Sequence, residues 1–227
     1  MSITIGYSSE LYFVEPQDIL KLAAAPSDIT NQVKQENNII VLLGNKATNS
    51  ADTLVCGKEI AQQAIADNVT HVPVKFVFLS NIAKWNILAI LFRKIRYKYK
   101  FESNTIYHTT LTHLRNLHIE RGFRNAENAY DFSKRWYLPP EQRIIKYNNL
   151  RDSLKANGFN DKYPITIMLC RRYGVKDSVD DGHHRIGICV ENNIEKIAIR
   201  FNAAGTFSHN TQKICLKLIN FFQRFHN

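Results

Sequence analysis

Between Pro139 and Phe201 the apolar period of the sequence changes several times, and the changes fall at prolines, glycines or polar turns. No other feature of the chain constrains its fold as tightly. Pro139-Pro140-Glu141 opens a helix, because proline suits the first helical turn and a carboxylate there favours the helix dipole. Ile144, Tyr147, Leu150 or Arg151, and Leu154 then carry one face until Asn157-Gly158 stops it. The run Pro164-Ile-Thr-Ile-Met-Leu169 reads as a strand, Tyr173-Gly174 as a turn, and Val175 to Val179 as a weaker return strand. A helix is expected from Gly182 to about Asn192, a strand from Lys196 to Phe201, and an amphipathic helix from Gln212 to Phe225. The resulting order is helix, strand, turn, strand, sharp polar corner, helix, strand.

The N-terminal part is less legible. Pro16-Gln17-Asp18 opens a helix that runs through Ile19, Leu20 and Leu22 to the alanines before Pro26. A buried strand over 38–43 ends at Gly44-Asn45, a helix covers Lys58 to Ala66, and Val72 to Leu79 reads as strand. No internal repeat and no low-complexity linker is visible. The expected class is mixed α/β, with residues 1–130 an N-terminal α/β region of unknown role and residues 131–227 a separate domain.

The corner itself, Val-Asp-Asp-Gly-His-His-Arg over 179–185, packs acids, a glycine, two histidines and an arginine at the mouth of an apolar segment. A glycine at a strand-to-helix corner lets backbone approach a ligand, and the free N–H groups of the new helix prefer an anion. His183, His184 and Arg185 add donors in the first turn, with arginine offering a fork matched to phosphate oxygens. Plainer roles exist for each: Asp181 as a helix N-cap, Arg185 as a partner of Asp180 or Glu191, Glu141 as a first-turn carboxylate. Two adjacent histidines at a helix start cannot both face one ligand, so at least one is structural.

The net charge of +10 draws anions without naming one. Arg93 to Lys100 interleaves basic residues with tyrosines and can lie on nucleic acid or an anionic membrane surface, or form a solvated edge. Arg171, Arg172 and Lys176 add positive charge near the corner, and Trp136 and Tyr137 can stack on a base or pack in the core. Cys56, Cys170, Cys189 and Cys215 show no CxxC pair, which points to free thiols and a cytoplasmic protein. The N-terminus lacks a secretory pattern, and the longest apolar run, Ile87 to Phe92, is too short to span a membrane.

Three segments together resemble the ParB/sulfiredoxin-like superfamily: the helix ending Leu150-Arg-Asp-Ser-Leu-Lys-Ala-Asn-Gly158, the Pro164-Ile165-Thr-Ile167 strand, and Asp181-Gly-His-His-Arg185. The resemblance covers about Pro139 to Phe201 and leaves the first 130 residues or so unmatched. It implies a ParB/sulfiredoxin-like C-terminal domain that binds a nucleotide. Position 183 lacks the cysteine of the sulfiredoxins, and Asp-Gly-x-His-Arg is closest to the free-serine kinases of the superfamily. That branch implies phosphoryl transfer from ATP or another nucleotide to a small hydroxylated acceptor. Glu141 would be the base, while Asp181 or Asp180 would hold Mg²⁺ through the phosphates and His183 would donate to them or protonate a leaving oxygen. Gly182, His184, Arg185 and Arg143 would bind the nucleotide. The rival expectations are a ParB-like DNA-associated module or nuclease that uses Arg93 to Lys100, and a non-catalytic nucleotide-sensing regulator.

Overall fold

A computed structural model of the chain describes residues 4–33, 38–44, 49–80, 100–114, 139–169 and 177–204. They form a mixed α/β structure built on two sheets. The six-stranded sheet contains β1 (Thr4–Tyr7), β2 (Tyr12–Val14), β3 (Ala23–Ala24), β4 (Ile39–Leu42), β5 (Thr53–Cys56) and β6 (Val72–Ser80). Its order is β1-β6-β4-β5-β3, with β2 also on β6. The five-stranded sheet contains β7 (Lys100–Glu102), β8 (Tyr107–Thr110), β9 (Ile165–Leu169), β10 (Ser178–Asp181) and β11 (Lys196–Ala204), in the order β10-β9-β11-β7 with β8 also on β11. The described helices are α1 (Pro16–Leu20), α2 (Ser27–Thr30), α3 (Lys58–Ala66), α4 (Leu111–Leu114), α5 (Pro140–Asn157) and α6 (His183–Glu191).

The two sheets are one unit built twice. In each, a central strand pairs antiparallel with the next strand (β4 with β5, β9 with β10), which ends at a left-handed glycine that opens a helix. The chain then returns as a strand parallel to the first, β6 beside β4 and β11 beside β9. Register agrees residue by residue. Val74 of β6 pairs with Ile39 and Tyr12, and Ile199 of β11, equally far from its glycine, pairs with Ile165 and Tyr107. Both hairpins carry a register shift just before the glycine, between Ile40 and Val41 in one and Val179 and Asp181 in the other. Both helices end at an asparagine with positive φ, Asn68 at 57° and Asn193 at 54°, which asparagine tolerates better than most residues. The buried hydroxyls without a partner among the described residues, Thr53 Oγ1 and Ser178 Oγ, also occupy equivalent places.

One core joins the units. β4 and β9 are buried along their whole length, as continuous apolar runs between flanking strands and helices require. Ala61 and Ala64 of α3, and Ile186 and Cys189 of α6, turn equivalent faces into this core. At its centre Phe76 and Phe201 lie with ring centroids 3.9 Å apart. Tyr12 and Tyr107 each pack edge-on against both phenylalanines. The tyrosine hydroxyls then cross between units, Tyr12 donating to Asp177 Oδ2 and Tyr107 to Asp52 Oδ2, both at 2.7 Å. Asp52 also accepts from the Gly44 amide and the Ser103 hydroxyl, and Asp177 from the Ser9 amide. Burying a carboxylate costs several kcal/mol unless donors surround it, so these bonds fix how the halves meet.

Several expectations are corrected. An internal repeat exists: the N-terminal region, expected only as an α/β region of unknown role, repeats the strand, hairpin, glycine, helix and return strand of the C-terminal one. A division at residue 130 does not follow the sheets, because β7 and β8 already belong to the second one. The first helix stops at Leu20, and Ala23-Ala24 is a strand on β5. The return strand is Ser178–Asp181, so both aspartates of the corner lie within it. Residues 58–66, 72–80, 140–157, 165–169, 183–191 and 196–204 agree with expectation to within a few residues. Arg93 to Tyr99, Trp136, Tyr137, Cys170 to Lys176 and Gln212 to Phe225 lie outside the described residues.

Tyr12→Phe and Tyr107→Phe each take one donor from a buried carboxylate, and each is expected to lower stability by about 1–3 kcal/mol in urea unfolding, with a single transition because the core is shared. Burial raises Asp52 above the usual carboxylate value despite bonds from Tyr107, Ser103 and Gly44. Its contribution to stability therefore falls as pH rises from the unfolded carboxylate value through the raised folded one. Asp52→Asn should flatten that part of the pH–stability curve.

Candidate functional site

The polar corner is the end of β10 running into α6. Gly182 has φ 101° and ψ 11°. A side-chain carbon there would come within 3.0 Å of Ile165 Cγ1 and 3.2 Å of its Cα. Gly57 repeats this with φ 92°, and its added carbon would lie 2.8 Å from Ile39 Cα. Each glycine is thus required by its left-handed backbone and by the first residue of the neighbouring central strand, before any ligand is considered. Asp181 is not the helix N-cap; Gly182 occupies that place, without a side-chain cap.

Arg185 is engaged. Its Nη2 donates to Asp181 Oδ2 at 2.8 Å, a carboxylate that is 73% exposed. Its Nη1 donates to the carbonyls of Tyr163 and Pro164. The guanidinium therefore ties the start of α6 to the strap 158–164 that leads into β9. The carboxylate partner is Asp181, four residues away along the chain, and neither of the expected Asp180 and Glu191. His184 meets the ring of Tyr147 edge-on at 5.9 Å and draws α5 against α6. Tyr147 and Leu154 of α5 also pack with Ile188 of α6.

The remaining expected residues stand further out. Glu141 is exposed in the first turn of α5, ahead of Tyr147, the residue of that helix that reaches His184. The side chain of Arg143 lies outside the described residues. Cys189 is buried under α6, and burial pushes its thiol up to about 11, which leaves no thiolate for attack at the corner.

Sequence reasoning missed a second polar cluster, where β2 and α1 of the first unit meet β8 of the second. Asp18, only 3% exposed, accepts from the His108 backbone amide at 2.7 Å and from His108 Nδ1 at 3.0 Å. His108 Nε2 lies 3.0 Å from Asp161 in the strap. Lys21 pairs with Asp18, and Lys196 with Glu15. Ligand atoms of Glu15, Asp18 and His108 lie within 4.8 Å of one another. Asp18 and Glu15 are each paired with a lysine, and the ring nitrogens of His108 meet Asp18 and Asp161, so the set stands in this structure as an ion-pair network. Burial works against a charged His108, but hydrogen bonds to Asp161 and Asp18 outweigh it and raise the imidazole pKa. No local pattern reveals this set, because its members are scattered through the sequence.

Gly182→Ala is expected to lose at least the roughly 1–2 kcal/mol of a left-handed backbone. Gly57→Ala should lose more, because the added carbon there meets a backbone atom closely; thermal unfolding of the two variants would rank them. Compared with known proteins, the chain matches no family model, no curated protein and no solved structure.

Proposed function

We propose that the chain binds a nucleotide with Mg²⁺ at the β10–α6 corner and transfers a phosphoryl group to a small hydroxylated acceptor. The observation that carries this reading is the twin corner. The fold makes the same turn twice, once as Cys56-Gly57-Lys58-Glu59-Ile60 and once as Asp181-Gly182-His183-His184-Arg185. The backbone demands the glycine and nothing of its neighbours, since the first corner folds with quite different ones. The polar set of the second corner is therefore not required by the turn itself, although His184 also packs on Tyr147 and Arg185 also ties the strap to α6.

The chemistry of the donors fits a polyphosphate. The first amides of α6 and the positive end of its dipole favour phosphate, and the exposed Asp181 offers oxygen to a hard cation. Mg²⁺ would supply charge neutralisation on the transferring group. His183 would donate to a phosphate oxygen or protonate the leaving one, and Glu141 would take the acceptor's hydroxyl proton. Likeness to the free-serine kinases of the ParB/sulfiredoxin-like superfamily supports the same reading. A second reading, a nucleotide-sensing regulator without transfer, is favoured by one contact: Arg185 is already bound to Asp181 and to the strap.

The test incubates the protein with ATP, ADP or CTP, Mg²⁺ and a pool of hydroxylated metabolites, and follows phosphorylated products by mass spectrometry. Asp181→Ala and His183→Ala should each lower product formation by about 10²-fold or more. Lys58→Ala, at the twin corner, should leave it unchanged. Nucleotide binding without product would favour the regulator, and no binding of any nucleotide would end both readings.

A further inference from the structure

A continuous chain of contacts runs from the ion-pair network to the corner. Asp18 of α1 holds His108, and His108 holds Asp161. Asp161 sits in a closed turn, in which Lys162 N donates to Asn160 Oδ1 at 2.9 Å and Tyr163 N to Asn160 O at 3.0 Å. The carbonyl of Tyr163, at the end of that turn, and that of Pro164 are the acceptors that occupy Arg185 Nη1.

We propose that Asp18, His108 and Asp161 form a proton-operated latch: with His108 protonated, the strap is held against Arg185, and loss of that proton releases Nη1 of the guanidinium, whose Nη2 stays on Asp181, for an anionic ligand at the corner. The latch deepens the reading of the corner as a nucleotide site and rests on it for the identity of the ligand. Its logic is a count of donors. An imidazolium donates from both ring nitrogens and can bridge two carboxylates, whereas a neutral imidazole donates from only one. Asp18 is 3% exposed and Asp161 is 59% exposed. A buried carboxylate loses far more than an exposed one when a donor leaves, so the neutral ring keeps Asp18 and gives up Asp161.

The other charged groups around the ring do not replace this switch. Lys21 is paired with Asp18, and Lys196 with Glu15. Glu195 accepts from Thr112. Burial lowers the pKa of both His71 and His113, opposite in direction to His108, so both are neutral where His108 titrates. His108 therefore loses its proton above the ordinary histidine value, and the latch is closed below its midpoint and open above it.

Titration by NMR of the His108 ring and the Arg185 guanidinium, paired with MgATP binding by calorimetry over the same pH range, tests the latch. In the wild type both signals should share one midpoint, with MgATP binding about tenfold tighter above it than below. Asp161→Asn, an exposed change that spares the core, should leave the Arg185 signal flat and the affinity high at every pH. His108→Phe, which installs the residue found at the twin position, Phe13, should do the same. A flat Arg185 signal in the wild type overturns the latch, and so does MgATP binding that ignores pH. A shared midpoint without MgATP binding at any pH supports the latch and sinks the nucleotide reading instead.

Discussion

Two buried carboxylates decide how this chain is put together. Asp52 and Asp177 are each almost wholly withdrawn from water, and each takes a tyrosine hydroxyl from the opposite unit. Neither unit alone supplies its aspartate with that donor, so the cost of burying the charge falls only when the two meet in this one arrangement. The four aromatic rings between them add apolar area and edge-to-face geometry, but such packing tolerates small slides. The hydrogen bonds do not. Exchange of equivalent donors and acceptors is what an isologous dimer interface looks like, here realised within a single chain.

That arrangement explains why the sequence hid its repeat. The positions that define it are few: Ser8 and Ser103, Tyr12 and Tyr107, Ile39 and Ile165, Asp52 and Asp177, Gly57 and Gly182, Phe76 and Phe201. The intervening segments differ in length, with α5 present only in the second unit among the described residues, so no fixed period links them. Asp52 and Asp177 also resemble turn residues, because nothing local tells a buried, multiply bonded carboxylate from a solvated one. By contrast, α3, α5 and α6 were legible because their glycine and proline boundaries act locally. Ala23-Ala24 misled for the opposite reason: alanine favours helix, yet pairing with β5 overrides that weak preference. At the corner, residue identity and position were legible, and so was the spacing of Arg185 to Asp181, whereas its carbonyl acceptors were not, since they depend on where a distant strap falls.

Repetition also separates what the fold needs from what it merely carries. Wherever both units keep a residue, a structural cause is at hand: the glycines by backbone and close approach, the tyrosines by the buried aspartates, the asparagines by helix termination. Wherever they differ, the frame has shown that it accepts either residue. The polar corner belongs to this second class, and so does the slot where His108 replaces the Phe13 of the first unit.

The two differences are joined by the strap, which His108 meets at Asp161 and Arg185 at Tyr163 and Pro164. At the twin slot, Phe13 stacks on His113 at 4.8 Å, an uncharged contact between equivalents of His108 and Asp18. One unit thus fills the position with an uncharged ring stacked on a histidine whose pKa burial lowers, and the other with a charge-bridged imidazole whose pKa, despite burial, is raised by hydrogen bonds to its two carboxylates. Because Tyr12, Tyr107, Asp52 and Asp177 hold the frame from the centre, this exchange at the periphery leaves the core untouched. A duplicated frame can therefore let one copy serve mainly as scaffold while the other acquires charged groups whose desolvation and pairing do not threaten the fold. In this chain those groups are concentrated between α1, β8, the 158–164 strap and the first turn of α6.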